Sequence, residues 1–296
     1  MNEYLLSVVL GIIEGLTEFL PVSSTAHLRL AEALMQIDLA SGYWKMYTIV
    51  IQLGAILCLP VYFHGRLRQF VATFPRGDRG DRTALTHPLG LTCLAFVCTA
   101  VPAFLLVKVI GKHLESLVIM GSALLIGGVI MWAVDARQAP AEAEGQRVPG
   151  RIRVWRMDQM DLGQAVWIGC CQTLSAIFPG TSRSMATIAA GQLAGMSRAA
   201  ALEFSFFLSM PTMVVATVYE LLKSVAGKHG SGWGAVQMDA HLWIVLAIGF
   251  VVSFVVAYGA VAWFMAWVRR RGFAPFALYR IVLGLAVLIW ATQLAR

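Results

Sequence analysis

Six runs of about twenty residues, with scarcely a charge inside them, set the limits on what this chain can become: residues 45–63, 88–107, 115–134, 199–222, 241–268 and 274–293. Each is long enough to cross the hydrocarbon of a bilayer as a helix, which takes roughly 20 residues at about 1.5 Å apiece. Charged residues make up 13% of the 296 and hydrophobic ones 58%, so the charged share is about half that of a soluble domain. The deficit runs along the whole chain. The pattern predicts an all-α, polytopic integral membrane protein with a single membrane domain and no large soluble part.

The net charge of +7 does not point to nucleic acid, because the basic residues gather in short loops between apolar runs. Arg66, Arg68, Arg76, Arg79 and Arg82 fall in 64–87, Arg137, Arg147, Arg151, Arg153 and Arg156 in 135–160, and Arg269, Arg270 and Arg271 follow the fifth run. Such loops are held in the cytoplasm. That assignment closes with 109–114, 223–240 and both termini outside, provided that 161–198 returns to the side it left. The stretch 138–150 reads as a polar linker. Cys58, Cys93, Cys98, Cys170 and Cys171 all lie in apolar segments without a CxxC or Cys/His ligand pattern, so they are expected to be small buried hydrophobes. Glu3, Glu14 and Glu18 precede the first basic residue, which argues against a cleavable signal peptide.

Two segments, 4–30 and 161–195, begin apolar, are broken by Pro and a cluster of hydroxyl residues, and then resume helical character. Irregular backbone at membrane depth is tolerated only when buried in protein or lining a wet cavity, so each is predicted to be a re-entrant helix–break–helix hairpin. They also align with each other. Gly11 to Thr17 (GIIEGLT) matches Gly169 to Ser175 (GCCQTLS), Pro21 matches Pro179, and Ser23-Ser24-Thr25 faces Thr181-Ser182-Arg183. Three spans follow each hairpin, an odd number, so the second copy is inverted. The expected plan is repeat one at 1–134, a linker at 135–160 and repeat two at 161–296, with broken helices meeting near the midplane as in inverted-repeat membrane proteins.

The breaks carry the reactive groups. Glu14 and Glu18 share one helix face, and a carboxylate at the bilayer centre costs roughly 2.5–3.5 kcal/mol even on the lenient insertion scale. The pair therefore calls for a divalent cation, for one metal ligand and one proton acceptor, or for a proton shared on structural grounds alone. Beyond Pro21 come Ser23, Ser24, Thr25 and His27. Ser24 and His27 are spaced so that an imidazole can reach a hydroxyl and activate it, although membrane Ser and Thr often bond their own helix. In the second break Pro179-Gly180 precedes Thr181, Ser182, Arg183, Ser184 and Thr187. A helix starting after Gly180 would offer free N–H groups and a positive dipole end to phosphate, and Arg183 a planar fork for its oxygens. The bland alternative for Arg183 is snorkelling to the interface. A metal or base half and an anion half together suit phosphoryl transfer, which is chiefly positioning and charge neutralisation.

These residues resemble the undecaprenyl-pyrophosphate phosphatase family, also called BacA. The resemblance rests on EGLTEFLPVSSTAHL at 14–28 and FPGTSRSMATI at 178–188, supported by VIQLGAIL at 50–57, EFSFFLSMP at 203–211 and YRIVLG at 279–284. It implies hydrolysis of undecaprenyl pyrophosphate to the monophosphate, which recycles a carrier lipid for cell-wall synthesis. It implies a bacterial inner-membrane location, a site open to the periplasm, and a divalent cation, Mg²⁺ or Ca²⁺. Carried over by motif are Glu14 and Glu18 as the acidic pair, Ser24 and His27 as the nucleophile region, and Ser182, Arg183 and Thr187 as phosphate contacts; Gln52 in VIQLGAIL joins the substrate-binding set. Expected partners are a polyprenyl pyrophosphate lipid, membrane lipids and, as a homodimer, a second copy of the chain, with no nucleic acid. Met185 departs from the family's usual Gly after SRS, and Ala26 from the Gly that many members carry before His; Met185 fits only if that backbone is ordinary helix. The other membrane lipid phosphatase pattern, SRxxxxxHxxxD, fails because no His lies six residues past Arg183. Inverted repeats also describe transporters, so a flippase of a phosphorylated polyprenyl lipid is the alternative; a purely structural subunit is the third reading.

Overall fold

The computed structural model describes residues 2–37, 42–106, 116–144, 152–226 and 238–294. They form eleven α-helices: α1 Glu3–Thr17, α2 Ser24–Met35, α3 Gly42–Tyr62, α4 His64–Thr73, α5 Pro88–Leu105, α6 Leu117–Glu144, α7 Leu162–Ile177, α8 Arg183–Leu193, α9 Arg198–Ala226, α10 Ala240–Arg271 and α11 Ala274–Leu294. Among the described residues there is no strand, only an isolated bridge between Val154 and Met196. Six helices, α3, α5, α6, α9, α10 and α11, are long and apolar enough to cross a membrane. They coincide with the six runs read from sequence, and the protein is a multi-pass membrane protein. The loop segments 109–114 and most of 223–240 lie outside the described residues, as does 145–151.

Two loop expectations change. Residues 138–144 are not linker but the last turns of α6. Alanine and glutamate favour helix there, and the turns have partners distant in sequence: Gln192 Nε2 donates to Gln138 Oε1 at 3.1 Å, and Arg198 N to Glu142 Oε1 at 2.6 Å. The basic stretch after α3 holds a further helix, α4. The cysteines are free; Cys58 is buried as expected, but Cys98 and Cys171 are only half-buried and Cys93 and Cys170 are exposed, since apolar faces of membrane helices need not be covered by protein.

The chain divides into two compact units, each discontinuous in sequence. The first comprises Met1–Phe19, Ser24–Phe63 and Ser209–Ala262; the second comprises Leu20–Ser23, His64–Leu208 and Trp263–Arg296. In the first, Leu6, Leu10, Ala31, Met46, Tyr47, Ile51, Val245 and Leu246 form the core. Ser7 Oγ lies 2.8 Å from Tyr47 Oη and donates to Val245 O at 2.6 Å. Helix α1 lies against α10 through Gly11 and Gly15: a Cβ at Gly15 would meet Ser253 O at 2.7 Å. Close approach through small residues is how helices associate where lipid supplies no hydrophobic drive. Here it seats the turn that carries Glu14.

In the second unit α6 packs on α11 and α5 on α7, and α8 rests on α6 and α7. Helix α11 shows why such helices are apolar all round. Ala277, Arg280, Val287 and Ala291 are buried on one face, while Leu278, Val282, Leu285 and Ile289 on the others are 46–61% exposed, a surface suited to lipid rather than water. At one end, Asp135, 2% exposed, accepts from Arg198 Nε at 2.7 Å and from Phe273 N at 3.1 Å.

His87 caps α5: its Nδ1 accepts from Leu89 N at 3.2 Å, and Nε2 lies 3.2 Å from Thr73 Oγ1. Burial, then the Arg82 guanidinium, holds its pKa below the ordinary imidazole value, with Asp78 opposing. A lowered folded-state pKa means stability that is present above the unfolded pKa and lost as pH falls toward the folded one. The melting temperature is expected to drop between about pH 7 and pH 5, around the free imidazole value of about 6.5. In His87→Asn, which keeps an acceptor at the cap, that drop should shrink; an unchanged pH profile would show that His87 is not its source.

Candidate active site

In the first unit the reactive residues of the first hairpin surround one turn and one cavity. Helix α1 ends at Thr17, whose hydroxyl donates back to Ile13 O at 2.7 Å. Glu14 and Glu18 are 1% and 7% exposed. Ser24, the first residue of α2, donates its hydroxyl to Glu18 Oε2 at 2.7 Å. That length is typical of a well-formed O–H···O hydrogen bond. Glu14, Ser24, Thr25 and Gln52, together with Thr48 and Glu32, line a cavity of about 210 Å³. His27 stands one turn beyond Ser24 on α2 and is half-buried.

The cavity offers carboxylate, amide and hydroxyl oxygens, the set that hard divalent cations choose, beside the Arg29 guanidinium, which pairs with Glu32 at 2.9 Å. Among the described residues no group of three or more His, Cys, Asp and Glu assembles as a closed metal cage. Mg²⁺ is commonly held by one or two carboxylates together with substrate phosphates, and Glu14 and Glu18 fit that mode.

In the second unit α7 and α8 form the second hairpin, broken at 178–182. Gly180 has φ +92° and abuts Met120, where a Cβ would lie 2.5 Å from the carbonyl oxygen. Ser182 caps α8 by accepting from Met185 N at 3.4 Å and sits at φ 66°. Ser23, just before α2, sits at φ 75°. A non-glycine residue at such φ is uncommon and clusters at functional sites. Judged by backbone, then, Ser23 corresponds to Ser182, and the gapless pairing of Ser23 with Thr181 shifts by one residue. Arg183 opens α8 and is half-buried. Ser184 Oγ lies 3.2 Å from Ser182 Oγ and donates to Leu20 O at 3.1 Å. Thr187, 1% exposed, donates back to Arg183 O at 3.0 Å and lies 2.7 Å from Ser205 Oγ. Because α8 is ordinary helix from Arg183 onward, Met185 is accommodated, 4% exposed, without distorting the cap.

The profile of a family described as "Bacitracin resistance protein BacA" matches residues 7–286. The chain belongs to the BacA family. An undecaprenyl-diphosphatase of Koribacter versatilis (strain Ellin345) is 67% identical over 295 residues, covering 99% of this chain and 100% of its own. Undecaprenyl-diphosphatases of Sorangium cellulosum (strain So ce56), at 41%, and Caldanaerobacter subterraneus subsp. tengcongensis, at 35%, each align with 96% of the chain and with 85% and 95% of their own lengths.

Within this BacA chain, one residue absent from the sequence-derived site is Arg280. Fully buried on α11, it donates through Nη1 to Pro21 O at 3.1 Å, and through Nη2 to Gly180 O at 3.1 Å, Thr181 O at 2.9 Å and Ala123 O at 3.2 Å. One guanidinium thus holds the 20–23 segment and the PGTSRS break to the same point of the second unit. The available signal was an arginine within an apolar run, YRIVLG, since an ionised residue inside a membrane span marks a functional or tightly paired position.

Proposed function

We propose that this chain is an undecaprenyl-diphosphatase of the bacterial inner membrane. It hydrolyses undecaprenyl pyrophosphate to undecaprenyl phosphate and inorganic phosphate, recycling the carrier lipid for peptidoglycan synthesis, with its site open to the periplasm. The observation that carries the reading is the 2.7 Å hydrogen bond at a helix break from Ser24 to Glu18, one member of a buried acidic pair. It supports a reaction in which Ser24 Oγ attacks the distal phosphorus while its proton passes to Glu18. The bond from that phosphorus to the bridging oxygen breaks, and undecaprenyl phosphate leaves. Water then cleaves the phosphoserine: its oxygen goes to phosphorus, one of its protons returns to Ser24, and the proton held by Glu18 leaves with the released phosphate. His27, one turn on, is assigned to proton transfer beside Ser24.

Arg183, the α8 N-terminus and the hydroxyls of Thr181, Ser182 and Ser184 are assigned to the phosphate oxygens. Ser23, Thr25, Gln52 and Thr187 complete the substrate-binding set. Glu14 and Glu18 would hold a divalent cation, which supplies neutralising charge to the pyrophosphate. The inverted repeat and a homodimer belong to the same proposal.

Detergent-purified protein given undecaprenyl pyrophosphate with Mg²⁺ or Ca²⁺ is expected to release one phosphate per lipid monophosphate formed, and to lose that activity on chelation. Lipid binding without phosphate release would replace the enzyme with a lipid transporter.

A further inference from the structure

The second unit contains a trough of about 570 Å³ that the chemistry above does not use. That volume is in the range of small-ligand sites. Its floor is one face of α8, where Ala186, Ala189 and Ala190 leave room that larger side chains would fill. One wall is α7, with Trp167 and Leu174, and the other is α6, with Ile126 and Ser122. Its lining is almost wholly apolar, and Ile126, Trp167 and Leu174 are 47–58% exposed, so the trough is open along its side.

One end is chemically different. Thr181, in the PGTSRS break, lines the trough, as does Met185 in the first turn of α8, the turn that Ser182 caps and Arg183 opens. From Met185 to Leu193 the trough follows α8 for about 12 Å, at about 1.5 Å per residue. A ligand with an anionic head at that helix start and an apolar tail along the same helix matches it in order and direction.

We infer that this trough seats the proximal part of the substrate's prenyl tail. The inference rests on the phosphatase reading for the head group and commits the tail to the α6–α7–α8 face. Trp167 donates its indole N–H to Ala190 O at 3.1 Å, which fixes the ring as a rigid wall against which the branched units of a polyprenyl chain pack.

Ala189→Leu and Ser122→Phe fill the trough from its floor and from its α6 wall, and neither residue belongs to the assigned catalytic or phosphate set. Activity is measured on undecaprenyl pyrophosphate and on dimethylallyl pyrophosphate, whose tail is too short to run along α8. Each variant is expected to raise KM for the long substrate about tenfold, since excluding two methylenes from an apolar site is worth roughly that. KM for the short one should stay within about twofold, and kcat for both should hold. Unchanged KM for both substrates, with the melting temperature retained, would overturn the tail assignment; equal losses on both would overturn its tail specificity.

A second measurement stands if either variant fails to fold. A prenyl pyrophosphate carrying a photoreactive tail is expected to label wild-type residues within 118–130 or 167–193, and unlabelled substrate should compete. Labelling by a photoreactive phospholipid that substrate does not displace would make the trough an ordinary lipid contact. Wild-type protein that hydrolyses neither substrate would sink the phosphatase reading itself, while the labelling would still report where the tail lies.

Discussion

Replacing Glu18 with glutamine is expected to lower phosphate release by about 10²- to 10⁴-fold, the usual worth of a positioned proton acceptor. The side chain keeps its size, so the turn at 18–20 should hold. What changes is the partner of Ser24: the carboxylate that now accepts its hydroxyl proton at 2.7 Å becomes an amide that takes none. Ser24→Ala should cost as much by removing the nucleophile. Because both act in one step, the double variant should be scarcely worse than either single one. Melting temperature and lipid binding in all three are expected near wild type, which separates chemistry from folding. Wild-type activity in Ser24→Ala would end the serine route. An acid-labile, base-stable phosphoprotein caught on quenching would then move the attack to His27, and no phosphoprotein at all would leave a water activated by Glu18.

The parts of this molecule written in local pattern were legible in advance. Six spans follow from apolar length alone, and both helix breaks from Pro beside hydroxyl clusters, because each depends on residues within one turn or one run. The end of α6 was misread because Gln138 and Glu142 look like linker until Gln192 and Arg198 are seen to bond them, and those partners lie more than fifty residues away. For Glu14 and Glu18, sequence spacing leaves open whether they act alike or divide their roles. Spacing put them on one face, but only the fold directs Ser24 to Glu18 and leaves Glu14 lining a cavity with Gln52. The one-residue shift between the two breaks was equally invisible, since it is expressed in φ at Ser23 and Ser182 rather than in residue type.

Arg280 is where distance in sequence hid most, and Arg280→Met is the second large loss expected. The substitution keeps much of the volume and removes every donor. Four carbonyls, those of Pro21, Ala123, Gly180 and Thr181, lose the hydrogen bonds they now accept. A buried polar group left unsatisfied costs roughly 1–3 kcal/mol, and neighbours relax, so a destabilisation on the order of 3 kcal/mol is expected, read as a fall in the detergent melting temperature. Activity should fall further than stability accounts for. The guanidinium sets where the 20–23 segment and the PGTSRS break lie in the second unit, and misplacing a reacting group by about 1 Å can cost 10²-fold. Arg280→Lys separates the two effects. An ammonium has three donors on one atom and no planar fork, so it can satisfy some carbonyls and retain the charge without holding the two segments at their present spacing. Melting should then recover more than kcat/KM does. Equal recovery of both would reduce Arg280 to a structural bolt, and wild-type activity in Arg280→Met would mean that the breaks keep their geometry without it.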